Sequence, residues 1–172
     1  MTKIGILEVE GVLTLYEHFG YLPTDVVKSN GRLENGKKAH EELDGIIIPG
    51  GTILESESMT GEVEEEINLI NDDDGFILGM CAGFQVLGKH TNVGRNSPVP
   101  IIRKGMGLLD VTFEPFINTN KVNADIVDDN TLFTKNLKDT TVSGFHCHTY
   151  GRIESNDKNV IYSNIQRSNY RY

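Results

Sequence analysis

Gly79-Met80-Cys81-Ala82-Gly83-Phe84-Gln85 sets a cysteine between an apolar run and a segment of helical pattern, with small residues on both sides. Upstream, Phe76, Ile77 and Leu78 follow Asp72-Asp73-Asp74-Gly75. They read as a short strand buried on both faces of a parallel sheet. From Ala82 onward the pattern turns helical, with Phe84, Val86 and Leu87 among Gln85, Gly88 and Lys89, and with His90 near the end. A strand that becomes a helix within two residues must turn sharply, and Gly79 and Gly83 remove the Cβ atoms that would clash there. The thiol is then held at the positive end of a helix, where aligned peptide dipoles favour a negative charge. Cys81 is therefore a candidate nucleophile; the competing reading is a small buried hydrophobe, the usual state of an unpaired cysteine.

Two further segments bear on that choice. Gly45-Ile46-Ile47-Ile48-Pro49-Gly50-Gly51-Thr52 reads as a buried strand ending in a proline and paired glycines. Such a turn can present backbone N–H groups at the carboxyl edge of the sheet, as an oxyanion hole requires; it is also an ordinary way to end a strand. Thr140-Thr141-Val142-Ser143 reads as a strand leading into Gly144-Phe145-His146-Cys147-His148-Thr149-Tyr150-Gly151-Arg152. Histidine is the usual base that activates a cysteine, and either His146 or His148 is available for it.

In this order the segments resemble a class I glutamine amidotransferase domain of the cobyric acid synthase type, a group that includes the subunit amidating cell-wall lipid precursors. The resemblance rests on four motifs spanning most of the chain: Ile48-Pro49-Gly50-Gly51, Gly79 through Gly88, Gly105-Met106-Gly107-Leu108-Leu109-Asp110, and Gly144 through His148. It implies that Cys81 attacks the side-chain amide of L-glutamine, releasing ammonia and leaving a glutamyl thioester that water hydrolyses. It implies His148, four places after Gly144, as the general base in preference to His146. It further implies the N–H groups of Gly51 and Ala82 as oxyanion donors, with Gly50 and Gln85 holding the substrate. No cofactor is implied.

The sequence departs from that pattern around the base. His146 and Cys147 stand where the group has Glu and a variable residue, and Tyr150 stands where many class I enzymes carry the glutamate that orients the histidine. Members of the cobyric acid type often lack that acid too, so a Cys81–His148 dyad is the expected machinery. Glu154 is a possible substitute or a solvated loop acid. His146, Cys147 and His148 also crowd like metal ligands, but alternation along a strand leaves only His146 and His148 on one face. Two ligands are too few for a structural zinc site, and no metal is expected.

A chain of 172 residues fits one domain, here expected to span 1–172. Its 38% apolar content suffices for a modest core, and its two irregularly spaced cysteines do not make a disulfide framework. The net charge of −9 argues against nucleic-acid binding. No apolar stretch approaches the roughly 20 residues needed to cross a bilayer, and the short apolar start is interrupted by Glu8 and Glu10; a cytoplasmic protein is expected. Relatives often continue beyond Tyr172, so the carboxyl end reads as a minimal version or as lacking something.

Strands are predicted at Lys3–Leu7, Asp25–Lys28, Gly45–Ile48, Phe76–Leu78, Val111–Phe113, Val122–Val127, Val142–Cys147 and Val160–Ser163. Helices are predicted at Leu13–Phe19, Lys37–Leu43, Gly61–Asn71 and Ala82–Lys89. In the third of these helices Val63, Ile67 and Ile70 form the buried stripe, and the carboxylates of Glu62, Glu64, Glu65 and Glu66 are expected to face solvent. Lys89 to Lys104 reads as a basic, loop-like connection or a partner-docking surface. Alternation of strand and helix implies an α/β fold, a three-layer, flavodoxin-like sandwich around a mostly parallel sheet, with an antiparallel addition from the later strands. Cys81, Gly51 and His148 then fall at strand ends, where ligands bind in such sheets.

No phosphate-binding loop of the Gly-x-x-x-x-Gly-Lys-Ser/Thr kind occurs. Within the resemblance, a separate ATP-dependent synthetase is therefore the expected partner, with a corrinoid or other tetrapyrrole carboxylate, or a cell-wall precursor, as acceptor. Two other readings remain open. One is a cysteine hydrolase or stress-protein relative of the same fold. The other is a non-catalytic binding or regulatory module that retains the amidotransferase scaffold.

Overall fold

The computed structural model describes residues 2–13, 25–54, 59–117, 121–126, 136–137, 139–145, 149–155 and 164–165. Its centre is a four-stranded parallel sheet in the order β2-β1-β3-β4, built from β1 (Ile4–Leu7), β2 (Asp25–Val27), β3 (Gly45–Ile48) and β4 (Phe76–Gly79). Ile6 pairs with Val26 on one side and Ile47 on the other, and Ile48 pairs with Gly79. The apolar runs end up where parallel strands bury both faces: Ile6, Leu7, Val27, Ile46 and Ile48 are fully enclosed. Each such side chain contributes roughly 1.5–3 kcal/mol by leaving water.

Between β2 and β3 lies a single helical turn, α1 (Ala39–Glu42); α2 (Gly61–Asp72) leads into β4, and α3 (Ala82–Leu87) leaves it. Thr60 caps α2: its hydroxyl accepts from the Val63 N–H at 3.3 Å and donates to the Ser29 carbonyl at 2.5 Å. Val63, Ile67 and Ile70 form the predicted buried stripe. Glu62, Glu64 and Glu65 are exposed, but Glu66 is not: it is 3% exposed and turned inward. Its Oε2 accepts from the His40 backbone N–H at 3.0 Å and from His40 Nδ1 at 2.7 Å, while Lys38 Nζ stands 3.5 Å from Oε1. Burial pushes the Glu66 carboxyl up, yet the His40 N–H, the His40 ring and Lys38 outweigh it and hold it below the ordinary carboxylate range.

A second sheet has the order β10-β7-β5-β6, from β5 (His90–Asn92), β6 (Ile102–Lys104), β7 (Val111–Glu114) and β10 (Arg152–Ser155). β7 pairs antiparallel with β10 and parallel with β5, and β5 pairs antiparallel with β6. A third, antiparallel sheet joins β8 (Lys121–Asp125), β9 (Thr141–Phe145) and β11 (Asn164–Ile165). The parallel-dominated α/β arrangement and the antiparallel addition are as the sequence predicts. Two predictions need correction. Lys89 to Lys104 is a paired hairpin, and the helix after Cys81 stops at Leu87, so His90 opens a strand. The reason is Gly105 to Leu109, which folds back over the end of α3: Met106 N–H donates to the Val86 carbonyl, Gly107 to Gly88 and Leu109 to Leu87, at 2.8–3.0 Å. Those bonds satisfy carbonyls that a longer helix would have used itself. A Cβ on Gly105 would lie 2.3 Å from the Gly88 carbonyl oxygen, which is why the fold-back needs glycine there. The predicted helix at Leu13–Phe19 and strand at Val160–Ser163 lie outside the described residues, apart from Leu13.

Candidate active site

Cys81 stands at the N-cap of α3 with φ 53° and ψ −114°. A side chain in that positive-φ region costs about 1–3 kcal/mol, so the surrounding structure must impose it. It does so by bonds on both sides of the thiol: Met80 N–H donates to the Ile48 carbonyl at 3.0 Å and Gly83 N–H to the Met80 carbonyl at 2.9 Å. The Cys81 carbonyl accepts from Phe84 and Gln85 at 3.1 and 3.2 Å, which starts the helix. The glycines are required by space, as the sequence predicts. A Cβ on Gly83 would lie 2.1 Å from the Ile48 carbonyl oxygen, and one on Gly79 would lie 2.7 Å from that of Gly83.

The consequence is an exposed, free thiol at the carboxyl edge of the parallel sheet. The buried-hydrophobe reading of Cys81 is excluded by that exposure. Pro49-Gly50-Gly51, leaving the adjacent strand β3, lies against it: a Cβ on Gly50 would sit 3.0 Å from Cys81 Cβ and 3.6 Å from Sγ. Gly51 takes φ +101°, and a Cβ there would meet Val12 Cγ2 at 2.9 Å. Among the described residues, no hydrogen bond takes up the backbone N–H of Gly51 or of Ala82. Gln85, four residues beyond Cys81, is 8% exposed on α3. Phe84 packs edge-on against Phe113 of β7, centroids 5.0 Å apart, tying the short helix to the second sheet.

His148, with His146 and Cys147, lies outside the described residues. The chain beyond them is anchored: Phe116 N–H donates to the Thr149 carbonyl at 2.9 Å and Gly151 N–H to the Phe116 carbonyl at 3.2 Å. Tyr150 bridges Phe116 and is half-buried. Glu154 is not a loop acid; it is an exposed residue of β10 opposite Thr112. Among the described residues no three His, Cys, Asp or Glu side chains cluster as a metal site. No helix among them is long and apolar enough to cross a membrane. Asn92, whose place two residues before Gly94 gives little sign of it in the sequence, is buried and braces the β5–β6 connection.

A family model described as a CobB/CobQ-like glutamine amidotransferase domain matches residues 4–171. The chain belongs to this family. Two curated relatives agree with the assignment. The chain is 34% identical over 119 residues to the pyridoxal 5'-phosphate synthase subunit PdxT of Picrophilus torridus, covering 65% of this chain and 56% of that protein. It is 31% identical over 113 residues to a cobyric acid synthase of a Thermoanaerobacter species, covering 62% of this chain and 22% of that protein. The matches thus span about half of the first relative and about a fifth of the second. Within the amidotransferase family, the elbow at Cys81 and the turn at Gly50 and Gly51 are the features on which chemistry can be built.

Proposed function

We propose that the chain hydrolyses L-glutamine through Cys81 and passes the ammonia to an ATP-dependent synthetase carried on a partner. The observation that supports this most is the exposed Cys81 thiol, forced to positive φ beside Gly50, near the N–H groups of Gly51 and Ala82, which are uncommitted among the described residues. The Cys81 sulfur attacks the glutamine Cδ and His148 takes the thiol proton. The N–H groups of Gly51 and Ala82 hold the developing oxyanion, where a single lost donor typically costs 10²–10³ in rate. The C–N bond breaks as the imidazolium returns its proton to the leaving nitrogen, freeing ammonia. Water, deprotonated by His148, then attacks the thioester carbon; glutamate leaves and the thiol is restored. Gly50 and Gln85 are assigned to holding the substrate, by likeness to the family. Tyr150 in place of an orienting acid makes this a dyad.

The acceptor, by likeness to the cobyric acid synthase type, is a carboxylate on a corrinoid, another tetrapyrrole or a cell-wall precursor. A module that binds without catalysis is the reading that Tyr150 would favour. The two are separated by measuring ammonia release from glutamine, with and without candidate synthetases, for the wild type, Cys81→Ala and His148→Ala. Turnover lost in both variants is expected. Turnover that survives Cys81→Ala contradicts the mechanism, and no turnover with any partner, together with no trapped thioester, favours the binding module.

A further inference from the structure

Among the described residues the second sheet ends in β6, whose strand partner is β5 alone. Val93 N–H donates to the Ile101 carbonyl and Gly105 N–H to the Lys89 carbonyl, at 2.8 and 2.9 Å, and these bonds set the phase of the ladder. With Thr91 opposite Arg103, the N–H and C=O groups of Ile102 and Lys104 point away from β5. The strand is exposed throughout, and Val99, Ile101 and Ile102 are 62%, 47% and 52% exposed. This is an open backbone edge fringed by large aliphatic side chains.

The hairpin is not a loose connection. Asn92 Oδ1 accepts from the N–H groups of Gly94 and Ile101, each at 3.0 Å, and its Nδ2 donates to Glu114 at 2.9 Å. Ser97 N–H closes the turn onto the Gly94 carbonyl at 2.9 Å. A surface ordered in advance gives up less entropy on binding. Its charge is also set apart. Residues 93–104 carry Arg95, Arg103 and Lys104 and no acid, in a chain of net charge −9. None of these three cations forms an ion pair among the described residues, whereas neighbouring Lys89 is engaged by Asp110 at 2.6 Å. At the foot of β6, Lys104 shares a cleft of about 230 Å³ with Glu64 and Asn68 of α2, where the basic stripe ends.

We propose that the β5–β6 hairpin is the docking element for the synthetase, pairing β6 with an extended, acidic segment of that partner; this rests on the glutaminase reading above. Protection against edge aggregation explains Arg103 and Lys104, and Pro98 and Pro100 just before the strand. It does not explain three large aliphatic side chains left in water beside them. A second copy of this chain would set Arg95, Arg103 and Lys104 against their own counterparts, a like-charge arrangement that selects against self-pairing. Three cations interleaved with aliphatics are a poor footprint for a nucleic acid. Strand addition with opposite charge on the partner satisfies the backbone edge, the aliphatics and the cations together.

The test is sedimentation of the intact chain with each purified ATP-dependent amidating synthetase of the source organism. It compares wild type with Ile102→Asp and with the Arg103→Glu/Lys104→Glu pair. A complex is expected whose half-saturation rises about tenfold or more in both variants, and whose wild-type affinity falls with added salt. Basal labelling of Cys81 by a glutamine-like alkylating agent and the melting temperature should stay unchanged in both. The proposal is overturned if the variants bind with wild-type half-saturation, if no synthetase binds, or if wild type forms a dimer that Ile102→Asp dissolves. Binding that depends on the hairpin with no labelling of Cys81 would instead defeat the glutaminase reading and leave the docking surface standing.

Discussion

Glu66 and Cys81 are treated in opposite ways by elements packed on the same parallel sheet. Glu66, on α2, is buried and engaged by a backbone N–H, an imidazole and an ammonium, so its carboxylate is fully answered. Cys81, just beyond β4, is exposed, strained to φ 53°, and flanked by the N–H groups of Gly51 and Ala82, which no hydrogen bond takes up among the described residues. The first arrangement stabilises the fold and leaves no capacity for a ligand. The second spends stability to hold a reactive atom in place, as expected where function overrides local preference.

The contrast breaks most visibly at Cys81 itself. Cys81→Gly should lower glutamine turnover by about 10³-fold or more, yet raise stability by roughly 1 kcal/mol by relieving the positive φ. Ammonia release and urea denaturation on one preparation read both signs. Gly83→Ala should cost at least ~3 kcal/mol or prevent folding, because its Cβ meets backbone at 2.1 Å and not a side chain that can swing aside; the denaturation midpoint checks this. Gly50→Ala sharpens the comparison from the other side. Its Cβ presses on Cys81 at 3.0 Å, so kcat/KM should fall about tenfold to a hundredfold with a much smaller change in melting temperature.

Glu66→Gln should cost about 1–3 kcal/mol, since it leaves His40 and Lys38 facing a neutral partner, with turnover per folded molecule unchanged. The folded carboxyl lies below its unfolded value, so its contribution is complete above the ordinary Glu value of about 4.3 and is lost as pH falls. Thermal melts between pH 6 and the acid limit should therefore decline less steeply in the variant than in wild type. Glu42 gives the smallest effect. Its carboxyl is pushed down to about 2 by the Lys3 and Lys37 ammonium groups, but the trio is solvated and Glu42→Gln should shift the melting temperature hardly at all.

What could be read in advance follows the same division. β1, β3 and α2 were legible because burial on two faces, or along one stripe, leaves an apolar pattern. β4 was legible from its apolar run, although as an edge strand among the described residues it is half-buried along its length and not enclosed on both faces as that run suggests. The elbow was legible because Gly79 and Gly83 are demanded by space within a few residues of Cys81. His90-Thr91-Asn92, Ile102-Arg103-Lys104 and Arg152-Ile153-Glu154-Ser155 were not recognised as strands. They are short and largely polar; β10 finds its partner β7 far back along the chain, and β5 and β6 close a hairpin without the apolar alternation that marks a strand. Glu66 was read as solvated because nothing in its acidic run shows that His40, 26 residues earlier, comes to meet it. The Gly105–Asp110 motif was recognisable as a family mark, but its cause, the capping of α3, lies in backbone bonds that leave no pattern in side chains. The roles of Cys81, Gly51, Ala82, Gly50, Gln85 and His148 remain proposals carried by likeness and by the geometry around the thiol.

The central claim is that Cys81 is the atom that takes glutamine. Intact-mass and peptide mass spectrometry after exposure to a glutamine-like alkylating agent tests it directly. A single adduct on Cys81, suppressed by excess L-glutamine and absent in Cys81→Ala, is the predicted result. An adduct on Cys147 in place of Cys81, or full glutamine turnover by Cys81→Ala, would contradict it.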